Sequence, residues 1–345
     1  MMKNLKSKLA KLSFQDVVPF IAFIVIFLFF TIASYNDRTG TITMLTARNL
    51  GTLLDQTMQT ILVACGTLFV VAQGSTDLSV GVNLALSGVI GMWVAHATGI
   101  AWLMIPVTLI VGLALGIFNG IIVSKFKVSS FMLTLAMLIG VRGLVNYLQI
   151  FTDVQRLPES LSILSNSTVK VILFVIIVAI MAYVFEFTKT GRYSRAIGEN
   201  ETTAKFVGVP VDKMKIVAFA LSGLMAAVAA VFNMATVGAT TNQMGTFLEI
   251  RVVMAIYLGG VLVTGGSSAK FYKILLGSFS IQIIVNGLAL MGKSDAHYSQ
   301  SVQGILLLLI LFVTILAGRR RVRAKDLEAA RESDEELVSQ TEAKP

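Results

Sequence analysis

The polar stretch QGSTDLSVGVNLALSG, Gln73 to Gly88, separates two long apolar runs and carries the side chains best suited to chemistry. Asp77, Ser79 and Asn83 supply a carboxylate, a hydroxyl and an amide in close succession. A carboxylate near hydrocarbon is costly unless it faces a cavity, a partner or the membrane surface. Two interpretations stay open: Asp77 contacts a solute where a broken helix lines a passage, or Asp77 caps the helix that follows.

Arg142 is the second costly group, because it lies inside an apolar run with Asn146 one helical turn later. The sequence favours an internal hydrogen-bond or ion-pair partner for Arg142. The alternative is that Arg142 and Asn146 lie on a solute pathway.

The longest internal polar and basic run is Thr188 to Lys215. Its residues predict one short helix, because Asn200 can cap a helix start, Gly208 can close a helix and Pro210 prevents continuation. That helix would expose a small surface formed by Ala204, Phe206 and Val207. The basic residues around this surface would be Arg192, Arg195 and Lys205. The plainer interpretation is a solvated basic loop that obeys the positive-inside rule.

Other patterns that resemble catalytic or metal sites lack the flanking structure or the residue spacing that such sites need. GLALMGKS, Gly287 to Ser294, fits the phosphate-loop pattern, yet that chemistry requires a preceding strand, and here the motif ends an apolar run. His96, His297 and the single Cys65 have no metal-ligand spacing. We therefore expect no catalytic, metal or cofactor site in this chain.

The composition places the chain among membrane proteins, since it is 55% hydrophobic, 14% charged and has a mean hydropathy of +0.81. Its net charge of +9 is concentrated in short loops and tails, where Lys and Arg set topology and meet anionic lipid. Nucleic-acid binding is disfavoured on that ground. The first apolar run lacks a cleavage site and is interpreted as a retained span.

About 20 apolar residues cross the hydrocarbon, and this length predicts an all-α, polytopic bundle of about ten transmembrane spans. We expect a tail at 1–16, a membrane domain at 17–318 that includes the 188–215 loop, and a second tail at 319–345. Gly112, Gly116 and Gly120 have the spacing that lets helices approach closely, most simply within this chain. The predicted spans are Val17–Tyr35, Leu53–Gln73, Leu78–His96, Trp102–Val123, Val128–Phe151, Val169–Phe187, Ile216–Val237, Ile250–Gly265, Ile274–Met291 and Val302–Ala317.

The distribution of basic residues predicts the orientation. With ten spans, the segments on the side of the two termini hold 21 of the 28 Lys and Arg residues. Cytoplasmic loops carry the excess of such residues. Both termini and the 188–215 loop are therefore predicted to be cytoplasmic.

At this point three motifs support a family resemblance. The chain resembles the permease subunits of ATP-binding-cassette (ABC) importers for ribose and related monosaccharides over about Thr52 to Gly318. The first motif is DLSVG at Asp77–Gly81. The second consists of TGR at Thr190–Arg192, AIG at Ala196–Gly198 and LSGLMAA at Leu221–Ala227, together with Asn200, Ala204 and Gly208–Val209. The third consists of LGG at Leu258–Gly260, GG at Gly265–Gly266, NGLALMG at Asn286–Gly292 and QG at Gln303–Gly304. Departures from the family pattern occur at Glu199, Lys205, Phe206, Arg251 and Ser267–Lys270.

The resemblance implies a permease in the bacterial cytoplasmic membrane that works with a second permease, ATPase subunits and an external sugar-binding protein. ATP and Mg²⁺ would bind the ATPases, whose closure would pull on the Asn200–Gly208 helix. Weak polar groups such as Ser79, Asn83 and Asn146 would let a sugar pass. Alternatives are an importer of an autoinducer furanose, a nucleoside or a branched-chain amino acid, an ion-coupled transporter that uses Asp77, and a membrane scaffold.

Overall fold

The computed structural model describes residues 14–36, 40–152, 155–292, 298, 301–312 and 315. These residues are mostly helical. Two antiparallel strands of two residues each, β1 (Tyr35–Asn36) and β2 (Thr41–Ile42), follow the first helix. The helices are α1 Phe14–Ala33, α2 Ala47–Ala72, α3 Val80–Thr98, α4 Met104–Lys125, α5 Ser130–Thr152, α6 Ser167–Phe187, α7 Lys189–Glu199, α8 Glu201–Phe206, α9 Val211–Val237, α10 Leu248–Leu258, α11 Phe271–Leu290 and α12 Ser301–Phe312.

Seven helices of the described part are long and apolar enough to cross a membrane: α2, α3, α4 with the preceding 3₁₀ turn, α5, α6, α9 and α11. Shorter apolar helices lie at both ends, Val18–Ala33 within α1 and α12. The chain is therefore an all-α, multi-pass membrane protein. The count of about ten spans and the side on which the termini lie stay predictions, and residues 1–13 and 319–345 of the two predicted tails lie outside the described residues.

The predicted span Ile250–Gly265 differs most from the structure. Its place is taken by the 11-residue helix α10, which ends at a Gly259–Gly260 turn with φ of 85° at Gly260. A helix of this length rises about 16 Å, roughly half the hydrocarbon thickness. α10 is instead buried against α2, α3 and α11, so its apolar composition reflects protein packing.

The centre of the bundle is formed by α2 and α9, which are packed against each other. α4 lies against α9 along Gly112, Gly116 and Gly120, as the small-residue spacing predicts. A methyl group on Gly116 would lie 2.3 Å from the carbonyl oxygen of Phe219, so only a residue without a side chain permits this approach. By contrast, α5 and α6 expose much of their apolar surface.

Several helices extend beyond the predicted spans because polar turns continue them. α2 begins at Ala47, where the Thr46 side chain accepts a hydrogen bond from the backbone N–H of Asn49. α9 begins at Val211, directly after Pro210, and carries the polar turn Asp212–Lys215. Hydropathy detects only the apolar part of such helices.

The 188–215 loop contains two helices where the sequence predicts one. α7 occupies Lys189–Glu199 and α8 occupies Glu201–Phe206. Asn200 separates them with extended backbone, φ −162° and ψ 109°, and its side chain caps α8. The additional helix α7 forms because residues 189–199 have an apolar face, including Ile197, that packs against the bundle.

Candidate functional site

A buried polar cluster surrounds Asp77 in the turn between α2 and α3. Asp77 is 2% exposed. Its Oδ1 accepts hydrogen bonds from the backbone N–H of Ser79 at 2.9 Å and from Ser79 Oγ at 2.6 Å. Its Oδ2 accepts from Ser222 Oγ of α9 at 2.7 Å. Three donors therefore meet one carboxylate, and they join the start of α3 to the middle of α9.

The cluster continues through two buried asparagines. Asn119 of α4 donates from Nδ2 to Ser79 Oγ at 2.9 Å. Asn83 donates from Nδ2 to the carbonyl oxygen of Gly112 at 3.1 Å. In the described part of the chain the Oδ1 atoms of both asparagines are buried without a hydrogen-bond partner. Asn119 and Ser222 could not be recognised from the sequence, because single polar residues in long apolar helices carry no periodic signal.

Asp77 does not occupy the cap position before α3 that one of the two interpretations from the sequence gives it. The residue before α3 is Ser79, and Asp77 binds the Ser79 N–H from two residues earlier. The carboxylate is buried and is enclosed by its three donors. In this conformation the cluster holds α3, α4 and α9 together, and a contact between Asp77 and solute stays a prediction.

Arg142 and Asn146 lie on α5, which packs against α3. Arg142 is half-buried and donates from Nη1 to the carbonyl oxygen of Met244 at 2.9 Å, while Asn146 is exposed. Buried Glu249 lies close enough to Arg142 and Arg251 for electrostatic attraction. Of the five predicted pathway residues, Asp77, Ser79 and Asn83 therefore lie in the buried polar cluster, and Arg142 and Asn146 lie on α5.

The 188–215 loop presents one strongly apolar exposed surface. Phe206 is 86% exposed and Val207 74% exposed. Asn200 Oδ1 accepts from the Thr203 N–H at 2.9 Å, and Gly208 has φ of 86°, so the predicted cap and closing glycine are confirmed. The prediction that Ala204 is displayed is wrong. Ala204 is 3% exposed, because it packs with Ile197, Val209 and Val211 beneath α8.

The basic residues around this surface differ in their contacts. Arg192 and Lys205 are exposed. Arg195 instead pairs with Glu186 at 2.7 Å and lies 5.1 Å from the ring centre of Phe185. Phe185 in turn packs edge-on against Phe69 of α2. Arg195 thus attaches α7 to the bundle.

Three further side chains, which the sequence analysis did not assign, connect the loop to helix ends. Gln73 Nε2 donates to Ser194 Oγ and to the carbonyl oxygen of Met214, both at 3.0 Å. Glu199 Oε1 accepts from the N–H of Ser267 at 2.7 Å. Glu186 Oε1 accepts from the N–H of Phe271, the first residue of α11, at 2.7 Å. These contacts, with Arg195, are called the loop anchors below.

The phosphate-loop pattern at residues 287–294 has a different local structure. Gly287 to Leu290 form the last turn of α11, and a methyl group on Gly287 would overlap the ring of Phe30. Lys293 and Ser294 lie outside the described residues. The described residues also contain no group of three His, Cys, Asp or Glu side chains placed to hold a metal ion.

Comparisons with known proteins agree with this membrane architecture. Residues 49–311 match the family described as "Branched-chain amino acid transport system / permease component". The ribose import permease protein RbsC of Escherichia coli K12 is 29% identical over 282 residues, 78% of this chain and 86% of that protein.

A second group of relatives consists of autoinducer 2 import system permease proteins, LsrC. The protein from Photorhabdus laumondii is 33% identical over 267 residues, 76% of this chain and 78% of its own length. The protein from Escherichia coli O157:H7 is 30% identical over 305 residues, 87% of this chain and 86% of its own length. No solved structure matches. The matched length and these identities show that the chain belongs to the branched-chain amino acid transport system permease family.

Proposed function

We propose that this chain is the permease subunit of an ABC importer for a ribose-like monosaccharide. The names of the RbsC and LsrC relatives support both the importer class and a small, hydroxyl-rich cargo. The proposed location is the bacterial cytoplasmic membrane, with both termini in the cytoplasm. The excess of Lys and Arg in the predicted inner segments supports this orientation.

The partners of this proposal are a second permease subunit, two ATPase subunits and an external sugar-binding protein. The observation that carries it is the exposed Phe206–Val207 surface. Large apolar side chains that project into water mark contact sites, and buried aromatic anchors dominate interface energies. Lys205 directly precedes Phe206, and Arg192 is exposed on α7; in this proposal both supply the charged rim of such an interface.

The loop anchors provide a mechanism for coupling. ATP binding draws the ATPases together and displaces α8, and the buried face of α8 around Ala204 carries α7 with it. Gln73, Glu186 and Glu199 transmit the displacement to the end of α2, the start of α11 and the turn at 266–268. ATP and Mg²⁺ are bound by the ATPases, and this chain supplies the passage.

The described conformation also indicates how the passage changes. The Asp77 cluster joins α3, α4 and α9, whose relative movement opens a route between them. Asp77, Ser79 and Asn83 would then meet the sugar only in the open state, with Arg142 and Asn146 on its outer approach. Neutral amides and hydroxyls bind an uncharged sugar weakly enough to release it.

The test is uptake of radiolabelled D-ribose by proteoliposomes that contain the complete importer. The double variant Phe206→Asp, Lys205→Glu should weaken ATPase binding by about 10- to 100-fold, because it removes an apolar anchor and reverses a charge. Measurements are co-purification of the ATPase and ATP turnover stimulated by the binding protein.

The matched control is Phe206→Leu with Lys205→Arg, which keeps the apolar contact and the charge and should retain activity. Unchanged assembly and turnover in the Asp–Glu variant would contradict the proposal. Ribose uptake that stops when the ion gradient is dissipated, without dependence on ATP, would favour the ion-coupled alternative.

A further inference from the structure

A polar cavity of about 320 Å³ opens between α2, α6 and α9. It lies at the end of the bundle opposite the 188–215 loop, because it includes the first half of α2 and the last turns of α9. Its polar lining consists of Lys170 from α6, and of Thr52, Asp55, Gln56, Gln59, Asn233 and Thr236 from α2 and α9. It is separate from the Asp77 cluster and shares no residue with it.

The depth of these residues shows that the cavity is not a surface loop feature. Gln56 and Gln59 lie about 5 and 9 Å along α2 beyond Leu53, where the predicted span begins, at 1.5 Å per residue. Gln56 is nevertheless exposed, and Gln59 and Asn233 are half-exposed. Amide side chains at membrane depth face bundle interiors or water-filled cavities, since lipid satisfies none of their hydrogen bonds. This face of the bundle is therefore shielded from lipid.

The charge within the cavity is internally balanced. Lys170 of α6 is buried, and its Nζ lies 2.8 Å from Asp55 Oδ1 and 3.2 Å from Thr236 Oγ1. The pair attaches α6 to α2 and α9 and leaves no net charge between them. What remains for a ligand is a set of amides and hydroxyls, which suits a neutral solute better than an ion.

One of these amides, that of Gln56, is held by a hydrogen bond from α11. Gln282 of α11 donates from Nε2 to Gln56 Oε1, and this hydrogen bond fixes the carboxamide of Gln56, whose side chain lines the cavity. Asn49 and Asn286 form a reciprocal pair farther along the same seam, at 3.1 and 3.0 Å. Phe232 adds an apolar surface to the lining. The combination of one aromatic face with several amides fits a ring that carries hydroxyls on its edge and C–H groups on its face.

We infer that this cavity is a water-filled subsite on the outer half of the pathway, where a neutral, hydroxyl-rich solute of one ring contacts Gln56, Gln59 and Asn233. Its volume is near the lower limit for small-molecule sites, which fall at about 300–1,000 Å³. The inference rests on the proposed function for the solute's identity and direction of travel, whereas water in the cavity does not depend on it.

The chain is suited to a thiol-accessibility test, because Cys65 is its only cysteine and is fully buried. Gln59→Cys and Asn233→Cys would be made in the complete importer and treated with a membrane-impermeant, charged methanethiosulfonate from the outer face. Both should react at least about tenfold faster than Ile176→Cys. That control is 50% exposed on α6 among apolar neighbours, so it presents to lipid a thiol at a position more exposed than Gln59 or Asn233.

A second measurement concerns the solute. Gln59→Ala and Asn233→Ala should each lower the maximal rate of D-ribose uptake by about three- to tenfold, the range for one lost hydrogen bond. Labelling of Gln59→Cys should block uptake. Wild-type complex treated with the same reagent shows the background, and gel filtration shows whether each variant is assembled.

The outcomes separate this inference from the proposed function. Unreactive cysteines at both positions in a complex that imports ribose would overturn the subsite and leave the proposed function intact, since protein or lipid would then cover the cavity. If the cysteines of both variants react but the wild-type complex takes up no ribose, the choice of cargo is overturned and the water-filled site is retained. Normal ribose uptake by both alanine variants would show that solute does not depend on these amides.

Discussion

At Asp77 one buried carboxylate satisfies three donors from two separate parts of the chain. Ser79 supplies its N–H and hydroxyl, and Ser222 supplies a hydroxyl from α9. Hydrogen bonds to a charged acceptor are worth about 1.5–3 kcal/mol each, and an unsatisfied buried donor costs about 1–3 kcal/mol. The structural contribution of Asp77 is therefore large enough to explain its place in an apolar region.

We expect Asp77→Ala to lower the melting temperature of the detergent-purified protein, because it leaves three donors without their acceptor. The loss should be about 2–4 kcal/mol in the free energy of unfolding. Asp77→Asn keeps the size and one acceptor atom, so its melting temperature should fall less. Fluorescence-detected gel filtration after heating measures both.

Ser87→Ala is the matched control, since Ser87 is fully buried but donates only to the carbonyl oxygen of Leu84 in its own helix. Its stability should stay close to that of the wild type. If Asp77→Ala keeps full stability and loses transport, the carboxylate acts on the solute instead, which is the other interpretation of the sequence.

Residue roles were predictable where local backbone chemistry decides them. Asn200 and Gly208 are examples, because a cap and a left-handed closing residue are set by their own few neighbours. Ala204 and Arg195 were not predictable in the same way. Whether a side chain in a short helix faces water or the bundle depends on packing against Ile197 and Glu186, which belong to other elements.

The contact of α4 with α9 is decided by glycine, whose lack of a side chain brings the two backbones together. A methyl group on Gly116 would lie 2.3 Å from Phe219 O and 3.1 Å from the Cα of Gly223. Both neighbours are backbone, so neither can rotate away. Gly112 and Gly120 meet α9 in the same manner on either side.

Gly116→Ala should therefore destabilise the purified protein by about 1–3 kcal/mol, the usual cost of overpacking. A thermal gel-filtration assay measures the shift. Gly140→Ala is the control, because it makes the same substitution inside helix α5 where no atom lies within 4 Å. It should leave stability unchanged or raise it by up to about 1 kcal/mol through helix propensity. An equal effect of the two substitutions on stability would mean that the close approach of α4 to α9 does not require glycine at position 116.

The long helices were predictable as elements because each contains an apolar run of spanning length. The short length of α10 was not predictable, since burial inside a protein and contact with lipid favour the same apolar residue types. Only the Gly259–Gly260 pair hinted at its early end. The two-helix form of the 188–215 loop was also hidden, because α7 has a polar sequence and gains its stability from one narrow apolar face.

At the scale of the whole molecule, two polar systems occupy opposite ends of one bundle. The loop anchors lie at one end, and the cavity with Lys170, Asp55 and Gln59 lies at the other. α2 and α9 contribute to both, so a displacement at one end has a continuous helical route to the other. The sequence could not show this, because the cavity joins residues from positions 52 to 237 that only the fold brings together.

Glu186 offers a test of that route, because it joins α7 to α11 through Arg195 and the N–H of Phe271. We expect Glu186→Ala to keep ATPase binding, since the Phe206–Val207 surface is untouched, while ribose transport per ATP hydrolysed falls about tenfold. The physical reason is that an unanchored α7 moves without moving α11. Co-purification, ATP turnover and uptake in proteoliposomes measure the three quantities together.

The control for Glu186 is a second ion pair of similar length whose two side chains are mostly exposed to solvent. Lys127 and Asp212 lie 2.6 Å apart with side chains 62% and 58% exposed, and exposed pairs contribute about 0–1 kcal/mol. Lys127→Ala should therefore leave assembly, turnover and uptake close to wild type. If Glu186→Ala transports as efficiently as Lys127→Ala, the anchors only stabilise the loop, and force must reach the bundle through the chain connection from α8 to α9 alone.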